Sequence, residues 1–581
     1  MADVIINVAT FRAASRLTPR MTVFRLKRVA RNFLAQRSPA MYTRYVERVT
    51  SFVPPLDLSA RRVDCSVIEL ARSVSAYYHE EYADSIDDAA RGRFTLFGKP
   101  MDFGNVESID WHHQIEEETD FHLWRMKLAQ MGFLCSMLIS GDDHHLRAVE
   151  ALLASYRKNS DFGVPACFSS YWFPYSVSHR ILAILSGYVL ALQDRDLPEA
   201  YCREVESFLR WNVGFLVANV EHELRNNHVE RNLAALCMYF SCVDTSLSRR
   251  NRRLDREVRR IMDACILSDG FIAERSAMYQ GLAVLALEIF SKAGCLTEET
   301  RATAAVLHTK AVRAWHAMSH PDGDIALFND SWIGEVPRAG HVTERQNFAS
   351  VEVLPDAGFA RLQSGAVFAL MDAGPIGPRW NPGHGHADFL AVEVDIASKR
   401  FIVDPGTYQY STGQRRTFER SASSHNGPNR TGLEPVEYSG CFQVGKMSEA
   451  RFVASDVSNG GGHVHGRLEL KRGTVRERRL ELSPNILRVV DTWLGDARGA
   501  FVRLTLSGAW DLDHQDDRVA LFSEGTTTVE LSVVDGRLAA IDSGEWSARY
   551  LESRPATAIT LEPLIGDNNC GRLLWEVRAI V

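Results

Sequence analysis

Between about Ser66 and Lys310 apolar residues recur at three- and four-residue spacing. FHLWRMKLAQMGFLCSMLI, SHRILAILSGYVLAL, EVESFLRWNVGFLVANVEHEL and SAMYQGLAVLALEIFSKAG all carry this period, which turns one face of a helix toward a core. Short polar breaks separate them: SGDD, QDRDLPEA, and SDG before Phe271. Many helices on short connectors predict an array of α/α hairpins, closed or partly closed into a toroid; the period establishes only the succession. After about residue 345 the period changes to two. GFARLQSGAVFALMDAG, DFLAVEVDIASKRFIVDPG, GRLELKRGTVRERRLELSPNILRVVDTWLG and FVRLTLSG alternate apolar with polar positions and break at Gly, Pro, Asn and Asp. That pattern predicts antiparallel strands, most simply a sandwich running to the C-terminus. The loop-like stretch SWIGEVPRAGHVTERQN carries the expected boundary. The chain therefore reads as multidomain α + β: a basic helical segment over 1–60, a helical array over 61–345 and an antiparallel sandwich over 346–581.

Length and composition agree with this division. A chain of 581 residues is too long for one hydrophobic core. Apolar residues at 45% and charged residues at 24% are those of an ordinary globular protein. The net charge of −7 argues against nucleic acid as a partner but leaves room for a local basic cleft and an anionic substrate. The ten cysteines sit mostly in apolar runs, as Cys237 does in LAALCMYF, and read as reduced, buried thiols. The first fifty residues are rich in Arg, either a surface-binding arm or a solvated helix packed on the main domain. No secretory signal is evident, so a cytoplasmic location is expected, with a non-standard export route left open. No run is expected to span a bilayer.

Three places carry candidate chemistry. Asn226-Asn227-His228-Val229-Glu230-Arg231 opens the helix NLAALCMYF; two amides, an imidazole and a guanidinium serve there equally as a cap or as a site. Glu274-Arg275-Ser276-Ala277-Met278-Tyr279-Gln280 lies at another loop-to-helix junction, where a Tyr commonly just packs. The third place is the densest: Asn381-Pro-Gly-His384-Gly-His386-Ala-Asp388, then Asp404-Pro-Gly-Thr-Tyr408-Gln-Tyr410, then Ser424-His425-Asn426. Gly-flanked His residues beside strands, with an Asp after the next strand, are the residue types zinc uses. ADFLAVEVDI turns at ASKR and returns as FIVDPG, a hairpin that brings His386 near Asp404. His425 completes the set if its segment folds back.

These residues resemble those of the heparinase II/III-like polysaccharide lyases. GHGHADFLAVEV, FIVDPGTYQY and SSHN look like the signature of that family's β domain, and NNHVERNLAAL and ERSAMYQ like its catalytic helical segments. DWHHQ, LWRMKLAQMGFL and WFPYSVSHRI follow the same order, so the resemblance runs from about Met21 to the C-terminus. It implies an incomplete α/α toroid, carrying catalytic residues, followed by an antiparallel β-sandwich. It places Asn227, His228, Tyr279 and His384 in the active site, with Tyr279 as proton donor. Substrate contacts are expected from Asn226, Arg231, Glu274, Arg275, Tyr408 and Tyr410. A divalent metal, zinc first, structural rather than catalytic, is expected on His386, Asp404 and His425. Two positions depart from the family: Gln280 follows the catalytic Tyr where a His is common, and Phe418 stands near where an aromatic hydroxyl is sometimes found.

The expected activity is β-elimination on a uronic-acid-containing glycan: glycosaminoglycan, alginate or exopolysaccharide. The C5 proton of a uronate is weakly acidic because the neighbouring carboxylate resists more charge. A donor such as Asn227, or Arg231 one turn on, has to neutralise that carboxylate. His228, His384 or Tyr279 then removes the proton, and Tyr279 protonates the leaving oxygen. A glycoside hydrolase on the same fold requires two carboxylic acids in the cleft, and Glu230, Glu274 and Asp330 form no obvious pair beside the His-rich segments. A non-catalytic glycan-binding or capsule-assembly protein is the rival of a different class.

Overall fold

The computed structural model describes residues 12, 15–59, 63–458, 460–470 and 473–580. Residues 1–11, 13 and 14 of the basic N-terminal segment, and residues 60–62, lie outside the described residues. The chain forms two compact units that interleave in sequence. One comprises Leu17–Ile266 and Leu282–Thr309, the other Met1–Arg16, Leu267–Gly281 and Lys310–Val581. These units interleave across the single boundary expected near residue 345. The cause lies in hydrogen bonding: Arg275 bonds to Ala357 and Asp372, and Leu327 to Glu393, so both segments belong with the strands.

The helical unit contains α1 (Pro19–Arg37), α2 (Pro39–Ser51), α3 (Cys65–Tyr82), α4 (Leu123–Gln130), α5 (Phe133–Ser140), α6 (Asp143–Asn159), α7 (Pro174–Asp194), α8 (Glu199–Asn219), α9 (Asn227–Val243) and α10 (Arg249–Cys265). Local signals start them as the sequence requires. Thr18 caps α1 with Pro19 at its first position, and Ser248 caps α10. Helix α7 is apolar on every side because it packs against α3, α4, α5, α8 and α9. It has the length and hydropathy to cross a bilayer, contrary to expectation, but 83% of its apolar window is buried, which marks a core helix. Gly187 on α7 admits the backbone of α5: a Cβ there would lie 2.8 Å from the Cys135 carbonyl oxygen. Arg180, also on α7, is fully buried and spends its guanidinium on the carbonyls of Ala129 and Tyr171 and on Asn212.

Helix α11 (Ala277–Lys292) and helix α12 (Glu298–Ala317) follow. The strands then begin: β1 (Val351–Leu354), β2 (Phe359–Ser364), β3 (Val367–Asp372), β4 (Val392–Ile396) and β5 (Lys399–Ile402). After the short helix α13 (Gln414–Arg420) come β6 (Pro428–Arg430), β7 (Ala450–Ser458), β8 (Gly461–Glu469), β9 (Val475–Ser483), β10 (Ile486–Leu494) and β11 (Ala500–Ser507). The last are β12 (Asp511–Gln515), β13 (Val519–Glu524), β14 (Thr527–Asp535), β15 (Arg537–Trp546), β16 (Arg554–Glu562), β17 (Leu564–Ile565) and β18 (Gly571–Ile580).

Two nine-stranded antiparallel sheets result. One runs β15-β16-β11-β5-β4-β3-β2-β1, with β6 on β11; the other runs β7-β8-β9-β10-β18-β14-β13-β12, with β17 on β18. Their facing side chains, among them Phe401, Leu504, Leu480, Trp493, Phe522 and Trp575, build one apolar core, so the expected sandwich is present. Burial alternates along β9 and β10, whereas β3 and β4 are buried at every position. The ASKR turn forms as predicted: Ala397 and Ser398 both adopt positive φ, the conformation of a two-residue hairpin loop. All ten cysteines are free thiols, six of them buried, which agrees with the reduced state expected.

Candidate active site

Three loops of the strand-rich unit are laced together by short hydrogen bonds. Asn329 donates its backbone N–H to Asp388 (2.8 Å) and its side-chain amide to the Arg275 carbonyl (3.0 Å), and it accepts from the His386 N–H (2.9 Å). The Ser276 hydroxyl bonds to the Asp330 carbonyl (2.8 Å) and accepts the Tyr279 N–H (3.2 Å), so it caps α11 where Tyr279 stands. Asp330 N–H donates to the His384 carbonyl (3.0 Å). Arg275 and Asn329 both hold φ near +60°, a strain of roughly 1–3 kcal/mol per residue that this lacing sustains.

The lacing gathers a phenol, an imidazole and their supports. The Tyr279 hydroxyl lies 3.0 Å from that of Tyr410, and the Tyr279 ring packs on His384 with centroids 4.6 Å apart. His384 Nδ1 is 2.9 Å from Asp330 Oδ2, and its Nε2 is 3.6 Å from Glu274 Oε1. The other oxygen of Asp330 takes His386 Nε2 (2.9 Å), while Arg416 on α13 grips both oxygens at 2.5 and 2.8 Å. Burial favours a neutral Asp330, but Arg416 and the hydrogen bonds from His384 and His386 outweigh it and hold the carboxyl well below the usual range. Burial, Asp330 and the Tyr279 hydroxyl push the Tyr410 phenol well above its ordinary value. Tyr410 therefore keeps its proton.

The expected metal ligands are neighbours in part. His425 Nδ1 bonds to Asp404 Oδ2 at 2.7 Å, and the His386 and His425 rings lie 5.4 Å apart. Among the described residues no group of three or more His, Cys, Asp or Glu side chains is arranged to hold an ion. Yet His386 Nδ1 and His425 Nε2 are both buried with no hydrogen-bond partner. Two orphaned acceptor-capable nitrogens on adjacent rings, with a carboxylate beside one of them, fit a cation as the missing partner.

Other candidates are engaged elsewhere. Arg275 is buried and spends its guanidinium on Ala357, Pro375 and Asp372 while stacking on Phe359, so it braces the loop and is not a substrate contact. Tyr408 lies beneath Arg415, 3.6 Å from its ring centroid, and does not join Tyr279 and His384. Gln280 ties Ile272, Gly270 and Ala311 together through its buried amide, a bracing role in place of the family's histidine. Glu274 is buried beside His384.

In the helical unit, Asn226 is the cap of α9: its side chain accepts the His228 N–H at 3.2 Å. Asn227 begins the helix and is buried. Arg231 is buried and donates Nη2 to the Leu282 carbonyl at 2.9 Å, while its Nη1 is buried with no hydrogen-bond partner among the described residues. His228 is a better-formed candidate. Glu221 holds its Nδ1 at 3.2 Å, Tyr175 and Phe173 pack on its ring, and its Nε2 bonds to no described residue. That arrangement fixes the tautomer with the lone pair on Nε2. Nearby His179 bonds to the Tyr78 hydroxyl at 3.0 Å, and burial keeps it neutral.

Asp330, Arg416 and Glu221 were not foreseen as site residues. Asp330 stands in LFNDSW, a polar triplet inside an apolar run, and that interruption was the available signal. Of Glu230, Glu274 and Asp330, which formed no obvious pair beside the His-rich segments in the sequence, Asp330 and Glu274 flank His384.

Residues 349–568 match the family model for the heparinase II/III-like C-terminal domain. No curated protein matches the chain. The solved structure of a heparinase III superposes with a TM-score of 0.65 at 14% identity, covering 98% of this chain and 93% of that one. A mutant of the heparan sulfate lyase HepC from Pedobacter heparinus superposes with a TM-score of 0.58 at 17% identity, covering 94% and 88%. At such identities the likeness is one of fold, and it is the incomplete toroid followed by a sandwich that the sequence resemblance implied. The strands from residue 349 to 568 are thus similar to the heparinase II/III-like C-terminal domain.

Proposed function

We propose that this protein is a polysaccharide lyase that cleaves a uronic-acid-containing acidic polysaccharide by β-elimination. The observation that carries this reading is the Tyr279–Tyr410–His384–Asp330 cluster: a phenol bonded to a second hydroxyl and packed on an imidazole whose far nitrogen a carboxylate holds. Asp330 accepts from His384 Nδ1 and so leaves the lone pair on Nε2, the geometry of a base. Removal of the C5 proton forms the C4–C5 double bond as the C4–O bond breaks, and the departing oxygen takes the proton of Tyr279. The Tyr410 hydroxyl then donates to the Tyr279 phenolate and stabilises it. His228, oriented by Glu221, is the second imidazole suited to the base, and Asn227 is assigned to neutralising the uronate carboxylate.

Hydrolysis fits less well. A glycosidase needs one carboxyl kept protonated, whereas Arg416 and two imidazoles hold Asp330 as the anion. A divalent ion, zinc first, would be held by His386 Nδ1 and His425 Nε2, with Asp404 orienting the His425 ring through Nδ1. It would fix the hairpin that carries these residues, since elimination consumes no water.

The test is product analysis on a panel of acidic polysaccharides. An unsaturated, ultraviolet-absorbing uronate end identifies a lyase, saturated ends a hydrolase, and intact polymer a binding protein. Tyr279→Phe should lower the elimination rate by about 10²-fold or more with folding unchanged. Full activity in that variant would remove Tyr279 from the chemistry. Loss on His384→Ala with retention on His228→Ala would place the base at His384, and the converse at His228.

A further inference from the structure

Helix α1 uses two opposite faces. Met21, Phe24, Arg28, Arg31 and Ala35, spaced by three and four, face the helical unit: Met21 and Ala35 are buried, Phe24 packs on His222, Arg28 pairs with Glu223 and Arg31 bonds to Asn219. The opposite stripe is also apolar. Val23, Leu26, Val29 and Phe33 lie along it and are at least half exposed, Leu26 at 65% and Phe33 at 60%. Leu34 on α1 and Met41 and Tyr45 on α2 continue this surface around a groove of about 720 Å³. A contiguous exposed apolar surface flanked by polar residues marks a binding face.

Its charge identifies the partner. Residues 17–52 contain eight Lys or Arg and one acidic residue, Glu47, in a chain whose net charge is −7. Arg25, Lys27, Arg37, Arg44 and Arg48 are exposed and form no ion pair with described residues. Arg253 of α10, a helix that exposes several further arginines, lines the same groove. Cations beside an aliphatic and aromatic stripe suit a surface that is negative outside and hydrocarbon beneath. An acidic glycan or nucleic acid would satisfy the cations and leave Leu26 and Phe33 in water.

We infer that α1, with the start of α2, is an interfacial helix that seats the protein on anionic lipid bilayers. The apolar stripe enters the headgroup boundary while the flanking cations meet acidic headgroups. The reading is independent of the proposed lyase chemistry.

Flotation of the full-length protein with phosphatidylcholine vesicles, with and without phosphatidylglycerol, tests it. Partitioning should be at least tenfold stronger on the anionic vesicles and should weaken as salt rises. Leu26→Asp/Phe33→Asp should abolish it, and Arg25→Glu/Lys27→Glu should reduce it about fivefold per reversed charge. All four side chains are exposed, so circular dichroism of the variants should match the parent. Absence of vesicle binding, or binding that Leu26→Asp/Phe33→Asp leaves intact, overturns the inference. So does a dimer in light scattering that the same variant dissolves while vesicles bind nothing, which gives the face to a second copy. Capture of an acidic glycan or DNA that ignores the apolar variant, without vesicle binding, assigns the patch to a polyanion instead.

Discussion

Asp330 offers two oxygens and satisfies two imidazoles and a guanidinium with them. Asp330→Asn removes one acceptor and the charge opposite Arg416, so His384 loses the partner that selects its tautomer. We expect kcat to fall by about 10²-fold or more with KM little changed, together with a displaced pH profile; an unaltered profile would make Asp330 a packing residue. Tyr410→Phe removes the donor to Tyr279 and should cost about tenfold or more in kcat, a loss of order 1.4 kcal/mol in transition-state stabilisation. Steady-state kinetics on an unsaturated product reads both. Tyr279, His384 and His228 stand out in the sequence because each sits in a short, unusual local pattern. Asp330 does not, because its partners lie 54 and 56 residues away and only folding brings them near. Charge in a sequence likewise does not reveal that the Arg275 guanidinium is spent on buried carbonyls and Asp372, or that Arg231 bonds the buried Leu282 carbonyl.

Among the elements, the junctions matter more than the interiors. Asn226 accepts the backbone N–H of His228 at the start of α9. Asn226→Ala should cost about 1 kcal/mol of stability and fray the turn bearing Asn227 and His228. Thermal unfolding reads the first effect, and a kcat loss out of proportion to the Tm shift reads the second. Gly385, between the two histidines of GHGH, is tighter still. A Cβ there would lie 2.0 Å from the Ile376 carbonyl oxygen, so Gly385→Ala must displace His384 and His386 together. Most helices and strands were readable from their periods because they bury one face, and the ASKR turn from its residues; α7, β3 and β4, buried on all sides, were readable only as apolar runs. The partition into units was not readable, because Leu267–Gly281 looks like the start of a helix and its strand-side partners carry no local mark.

Across the molecule as a whole, one buried cluster sets an alkaline limit. His320 gives Nδ1 to Asp395 at 2.8 Å and Nε2 to Glu393 at 2.7 Å, and two acceptors require a doubly protonated ring. Burial and Arg400 push its pKa down, but Asp395 and Glu393 outweigh them and lift it to about 9. A raised pKa means the stabilisation is complete below about 6.5 and disappears as pH climbs through 9, on the order of 3 kcal/mol in all. Denaturant midpoints followed from pH 6 to 9.5 should fall across that window. His320→Gln should be weaker at pH 6 and fall less steeply, since His425 is also raised to about 9, and a slope as steep as the parent's would clear His320 of responsibility.

The interleaved partition also bears on how the chain is made. A ribosome that has released residues up to 345 has delivered every part of the helical unit. It has also delivered Phe271, Ile272 and Phe328, which end up buried within the strand-rich unit. The strands bearing Asp372 and Glu393, which secure these segments, are still unsynthesised. Nascent chains must therefore carry sticky, unfinished loops until Glu393 has been made, and a fragment ending at 345 should aggregate where the complete chain stays in solution.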